Sequence, residues 1–261
     1  MRAAFDVSVG SDPIVSTAVH AGHDVRPDVA GRLAIDDRTR RREEDPYTDA
    51  MIGSLGGTRI DVHRSRFEVD LNRARDGAVY LEPADSWGLT VWRDTLPSAC
   101  IRASLAVYDD FYRVLARHLD RVTATSTCLV LDVHSYNHRR DGPGSPAAPE
   151  AGNPEVNVGT GWLDRGRWGF AVDRFIAVLG DQEVKGHRLD VRENVRFTGG
   201  HLSRWVAQRY PTTACVLAVE FKKSFMDEWS DTPDDDHIAQ LAGALGAAAE
   251  PTVDALIGAR R

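Results

Sequence analysis

The sequence predicts an α/β fold in three layers, a mixed central sheet with helices on both faces. Three observations carry this expectation. The runs PIVSTAVH (13–20), LVLDV (129–133) and CVLAVEF (215–221) have the length and apolar continuity of strands buried on both faces. Residues 102–122 repeat apolar side chains at steps of three and four, through Leu105, Tyr108, Tyr112, Leu115, Leu119 and Val122, as a helix packed on one side does. Helix followed at once by strand is the rhythm of layered α/β proteins.

The elements follow in order. Strand 13–20 runs into His20. Residues 21–45 are loop and a charged stretch, DDRTRRREEDPYTDAMI from Asp36 onward, whose plainest reading is a solvated helix face or loop. In RFEVDLNR (66–73), Phe67, Val69 and Leu71 alternate with polar neighbours, which is strand-like. After helix 102–122 and strand 128–133, residues 138–161 are rich in Gly and Pro. They read as a long ordered loop of the kind that carries function. A second helix is expected over 167–179, with Trp168, Val172, Phe175, Ile176 and Leu179 on one face. TGG (198–200) opens a helix through about Gln208, stopped ahead of Pro211. Strand 215–221 ends in a charge, Glu220, and an Ala-rich helix over 238–257 closes the chain. No internal repeat or domain boundary is visible, so residues 1–261 are expected to form one domain.

Composition narrows the function. The 261 residues are 42% hydrophobic and 27% charged, ordinary for a globular protein that buries a sizeable core. The net charge of −7 argues against a nucleic-acid partner, which calls for a basic face. Three unpaired cysteines suit a reducing compartment, and MRAAFDVSVGSDP lacks the apolar core of a signal peptide. No apolar run approaches a membrane span. A cytoplasmic protein without membrane partners is expected.

Three strand ends present chemistry. VHAGHDV places His20 and His23 just past a strand, and DVHSYN supplies His134 more than a hundred residues later. Two close ligands and one distant one are the pattern of a catalytic zinc site with a fourth position open. HxxH alone is common, and a loop histidine plus a satisfied core histidine would also produce it. Glu220 sits in an apolar strand, where a lone carboxylate is expensive. It is either a general base beside the metal or the ion-pair partner of Lys222 or Lys223, both of which are expected at the solvent end. Arg64, Arg66, Arg73 and Arg75 surround Asn72, and Arg204 and His201 start a helix. They form either a solvated basic edge or a fork for carboxylate.

HAGH, REEDPYTD, SRFEVDLNR, LDVHSYN, FTGGHLSRW and AVEFKKSFMDE stand in one order over most of the chain. Together they make the sequence resemble the N-formylglutamate amidohydrolase family, itself similar to zinc carboxypeptidases and aspartoacylases. The resemblance implies a zinc-carboxypeptidase-like, phosphorylase/hydrolase-like fold and zinc-dependent hydrolysis of a small anionic N-acyl amino acid, N-formyl-L-glutamate first. It implies His20 and His134 as zinc ligands, and Asn72 and Arg73 as binders of the substrate carboxylate. Arg66 would polarise the scissile carbonyl or hold substrate, and Glu220 would be the base and acid. Position 23 is His where the carboxypeptidase pattern has Glu. His23 is kept as the second ligand, with Asp24 and Glu44 as rivals. Tyr136, His201 and Arg204 are expected to meet the substrate. Another acyl group, or a binding module without catalysis, are the alternatives.

Overall fold

The computed structural model describes residues 2–259. Seven strands make one sheet: β1 (Phe5–Ser8), β2 (Ile14–Ala18), β3 (Thr58–Val62), β4 (Cys128–Tyr136), β5 (Val156–Gly159), β6 (Val191–Glu193) and β7 (Ala214–Lys222). Their order is β1-β3-β2-β4-β7-β5-β6. β3, β2, β4 and β7 run parallel, while β1 and β5 each lie antiparallel to their inner neighbour, so the sheet is mixed. β4 is buried along its whole length and pairs with β7 from Cys128↔Ala214 to Tyr136↔Lys222. That register sets His134 directly beside Glu220.

Helices cover both faces: α1 (Asp37–Glu43), α2 (Ser98–Thr123), α3 (Arg165–Gly180), α4 (His201–Arg209) and α5 (Asp235–Gly258). The starts of α1, α3 and α5 are set by aspartates. Asp36, Asp164 and Asp234 each accept a first-turn N–H, from Thr39, Gly166 and His237. Alternation along the strands divides the core. Leu129, Leu131 and Val133 of β4, with Cys215, Leu217 and Val219 of β7, pack with α3 and α5. Cys128, Val130, Ala214 and Val216 pack with α2 and α4. By the same period of two, Asp132, His134 and Glu220 continue the second row, toward α4.

The long helices and inner strands lie where the pattern puts them, within a few residues. Two segments differ. Residues 66–73 form no strand. After β3 ends, Glu68 and Val69 donate their N–H groups to the Ser65 carbonyl in a tight turn. Phe67, Val69 and Leu71 are buried, but so are Glu68 and Asp70, each paired with arginines. Charges with buried partners imitate the solvent side of a half-buried strand. Within 138–161, β5 lies between β7 and β6; its four residues are all buried and flanked by Gly and Pro that read as loop. Among the described residues no helix is long and apolar enough to cross a membrane.

Candidate functional site

At the C-terminal ends of β2 and β4, two histidines and an aspartate converge. His20, Asp45 and His134 are all buried, and each offers a ligand atom within 4.8 Å of the others. The His134 Nδ1 lies 3.0 Å, and the His20 Nδ1 3.3 Å, from the Asp45 Oδ2. The other ring nitrogens are held from behind: His20 Nε2 is 2.7 Å from Asp70 Oδ1 and His134 Nε2 is 3.0 Å from Asp132 Oδ1. The carboxylates are themselves fixed. Asp70 accepts from Arg66, Tyr80 and the Asn72 N–H, and Asp132 accepts from Thr17 and Ser203. Carboxylates behind both imidazoles orient the Nδ1 atoms inward, as the outer partners of metal-ligating histidines do.

The donor set fits a divalent cation of the zinc type: two imidazoles and a carboxylate, with room for a fourth ligand. The field is negative. Although burial opposes protonation, Asp132 and Asp45 hold the His134 pKa well above the ordinary histidine range. Despite burial, the two histidines hold the Asp45 carboxyl far below its ordinary value.

His23 is not part of it. Gly22 packs on the His63–Arg64 backbone so closely that a Cβ would lie 2.2 Å from the His63 carbonyl carbon. The chain then bridges Asp24 to Arg64. His23 is thereby directed away from the cavity, to Glu44 (Nδ1–Oε2 2.5 Å) and Arg40 (2.9 Å). Glu44 is fully buried and spent on His23, Ser65 and Arg40; Asp24 is exposed. The acid that joins His20 and His134 is Asp45, whose N–H donates to the His20 carbonyl. It lies inside the stretch read as solvated, and its one signal was membership of REEDPYTD.

Glu220 reaches the same place from β7. It faces a cavity of 690 Å³ that also exposes His20, Asp45 and His134. Burial pushes its carboxyl up to about 7; Asp45 and Asp132 add to the rise and His134 opposes it. Among the described residues no lysine pairs with it. Lys223 is buried, not at a solvent end, and donates to the Arg42 and Glu44 carbonyls at 2.6 Å each.

Arg66 and Arg73 line the cavity. Arg66 is held by Asp70 at 2.8 Å and lies 4.8 Å from the Trp87 ring centre. Arg73 is less committed: it donates to the Asp85 carbonyl and has its nearest carboxylate, Asp70, at 3.9 Å. Asn72 lines the wall with its amide largely occupied. Its Oδ1 accepts the Leu202 N–H at the start of α4, and its Nδ2 is 3.1 Å from His134 Nε2. Gly200 is required there, since a Cβ would fall 2.4 Å from the Asn72 amide. Tyr136 also lines the cavity, its hydroxyl donating to the Pro154 carbonyl. His201 and Arg204 are not on the cavity wall. They bond to each other at 2.9 Å, with Arg204 over Trp162, because the first turn of α4 presents them to aromatic neighbours. Three cavity arginines, Arg42, Arg140 and Arg196, are not singled out by the sequence, although Arg140 lies in the Gly- and Pro-rich loop expected to carry function. HRRDG and ENVRF carry no spacing that would mark them.

Known proteins are similar to this chain along nearly all its length. The N-formylglutamate deformylase of Pseudomonas aeruginosa is 26% identical over 238 residues, 84% of each chain. The crystal structure of N-formylglutamate amidohydrolase from Ralstonia eutropha matches with a TM-score of 0.74 at 15% identity, over 97% of both chains. A gene product of Agrobacterium tumefaciens matches with a TM-score of 0.71 at 16% identity, over 97% of this chain and 95% of that one. These two structures share the fold. The N-formylglutamate amidohydrolase family model matches residues 12–226, which span every cavity group described above, and the chain therefore belongs to that family of amide-bond hydrolases.

Proposed function

We propose that the chain is a single catalytic domain that hydrolyses N-formyl-L-glutamate to formate and L-glutamate with zinc held by His20, Asp45 and His134. The observation that carries this reading is the juxtaposition, at one cavity, of the His–Asp–His cluster, an unpaired Glu220 beside His134, and arginines with capacity to spare. A zinc ion bound there would supply Lewis acidity to polarise a carbonyl oxygen and acidify a water. Glu220 takes the proton of the attacking water and returns it to the leaving amine nitrogen, and a carboxyl near neutrality suits both transfers. Arg66, pinned by Asp70, keeps a fixed positive charge beside the position where the carbonyl oxygen gains charge. Arg73, with a guanidinium only loosely engaged, takes the α-carboxylate.

Formate release is measured on N-formyl, N-acetyl and N-succinyl amino acids, together with bound metal in the wild type and three variants. Zinc is expected near one equivalent in the wild type and in His23→Ala, and lost in Asp45→Ala and His134→Ala. Zinc retained without Asp45, or lost with His23 alone, reassigns the ligands. A preference for acetyl or succinyl substrates replaces the formyl reading.

A further inference from the structure

Of the six arginines and lysines on the cavity wall, three are neutralised or saturated, and Arg73 has Asp70 at 3.9 Å. Arg42 pairs with Glu43 and Arg66 with Asp70, and Lys223 is bonded to carbonyls. Arg140 and Arg196 differ: among the described residues neither has a carboxylate within 4.0 Å. Arg140 donates only to the Asn137 carbonyl, at 3.0 Å. Arg196 donates to Asn153 Oδ1 at 3.2 Å, and its Nε is buried with no partner. Two like charges share this wall: burial, with the Arg140 charge adding, lowers the Arg196 pKa. Two guanidiniums on one cavity wall without a directly paired carboxylate are an arrangement that an anion relieves.

Arg196 is also held in place. Arg196 lies over the rings of Tyr136 and Phe197, 5.5 and 5.4 Å from their centres. The buried Asn157 amide ties the backbone on either side, accepting the Arg196 N–H at 2.8 Å and donating to the Phe197 carbonyl at 2.8 Å. Asn157 sits beside Glu220 in the β5–β7 register, so the strand paired with the one that carries the base fixes this arginine. Sheet order adds direction. Arg66 and Arg73 follow β3, and Arg196 follows β6 at the opposite end, with β2, β4, β7 and β5 between them. The cavity thus has two cationic sides flanking the histidine cluster, and a mono-carboxylate would use only one.

We propose that Arg140 and Arg196 form a second carboxylate clamp, which grips the side-chain carboxylate of the N-acyl amino acid and selects dicarboxylates. The proposal rests on the hydrolase reading above and assigns its specificity. N-formyl-L-glutamine is the discriminating substrate, because an amide replaces the side-chain carboxylate at nearly constant shape. Glutarate, with glutamate's carboxylate spacing, and butyrate, with one carboxylate, report the clamp without turnover.

Zinc-loaded wild type, Arg140→Gln, Arg196→Gln and Arg196→Lys are compared, with metal content and thermal melts showing that each variant is folded. The ratio of kcat/KM on N-formylglutamate to that on N-formylglutamine is expected to fall by about 10- to 100-fold in Arg196→Gln. It should fall less in Arg140→Gln and least in Arg196→Lys, which keeps the charge but loses the fork. By calorimetry, glutarate should bind the wild type at least tenfold more tightly than butyrate, and the glutamine variants should lose that margin. Equal losses on both substrates, or an unchanged ratio, overturn the clamp while leaving the hydrolase reading standing. If the wild type hydrolyses no N-formyl compound, the hydrolase reading fails and calorimetry alone judges the clamp. Glutarate and butyrate binding alike would then overturn it.

Discussion

At the scale of single residues, Glu220 is the most exposed to test, because one side chain is asked to satisfy two opposing demands. A base must be charged to act, and this carboxyl is raised to about 7 from an ordinary 4.5 by its burial. Glu220→Gln preserves shape and removes the proton site. Zinc content should be unchanged while kcat falls by roughly 10²–10⁴-fold. A rate near wild type would remove Glu220 from the chemistry, and lost zinc would make it a ligand. The same substitution has a stability signature in metal-free protein. The folded state holds this proton more tightly than the unfolded chain, so stability falls as pH rises from 4.5 through about 7. Glu220→Gln removes that loss. In urea melts of chelator-treated protein it should be more stable than wild type at pH 8, by roughly 2 kcal/mol, and not at pH 4. The figure is below the full linkage value because the carboxyl faces the open cavity. A difference independent of pH would place the effect in packing.

At the scale of elements, the segment between β4 and β5 builds one cavity wall, and Glu228 anchors its start. Its carboxylate accepts the His138 and Arg139 N–H groups at 2.8 and 2.7 Å, with Arg42 at 3.5 Å. Burial alone would raise its pKa, but His138 and these N–H groups bring it down to about 2 from 4.5. A depressed carboxyl stabilises the folded state above its unfolded value, and the contribution is lost as pH falls from 4.5 toward 2. Glu228→Gln should therefore cost up to about 3 kcal/mol at pH 7 and progressively less in acid. Proteolysis within 138–152 should quicken at pH 7 as the anchor is lost. Cleavage no faster than in wild type would mean the wall is held by other contacts, such as the Trp229 bond to the Arg139 carbonyl.

At the scale of the whole molecule, the cluster joins parts of the chain far apart in sequence: His20 after β2, Asp45 after α1 and His134 in β4. A ligand that binds all three only when folded stabilises the entire fold by mass action, by about 2.7 kcal/mol at a hundredfold excess over Kd. Stripping the metal should lower Tm by several degrees, and adding zinc should restore it. Asp45→Ala and His134→Ala should show little response to either treatment, whereas His23→Ala should respond like wild type. A wild-type Tm indifferent to chelator would show that this cluster holds no stabilising metal.

The sequence by itself determined the layers, the inner strands and three of the four groups at the head of the cavity. Strand period and parallel pairing bring the ends of β2, β4 and β7 to one edge, so His20, His134 and Glu220 meet there whatever the loops do. Asp45 and the fate of His23 were decided only by tertiary structure, because a charged residue in a charged run looks solvated until its buried partners arrive from elsewhere. Glu68 and Asp70 misled in the same way, making a tight turn resemble a strand. Arg140 and Arg196 stand out only by what they lack, a neighbouring carboxylate. Such an absence is a property of folded space, since pairing depends on which distant segments the sheet brings together.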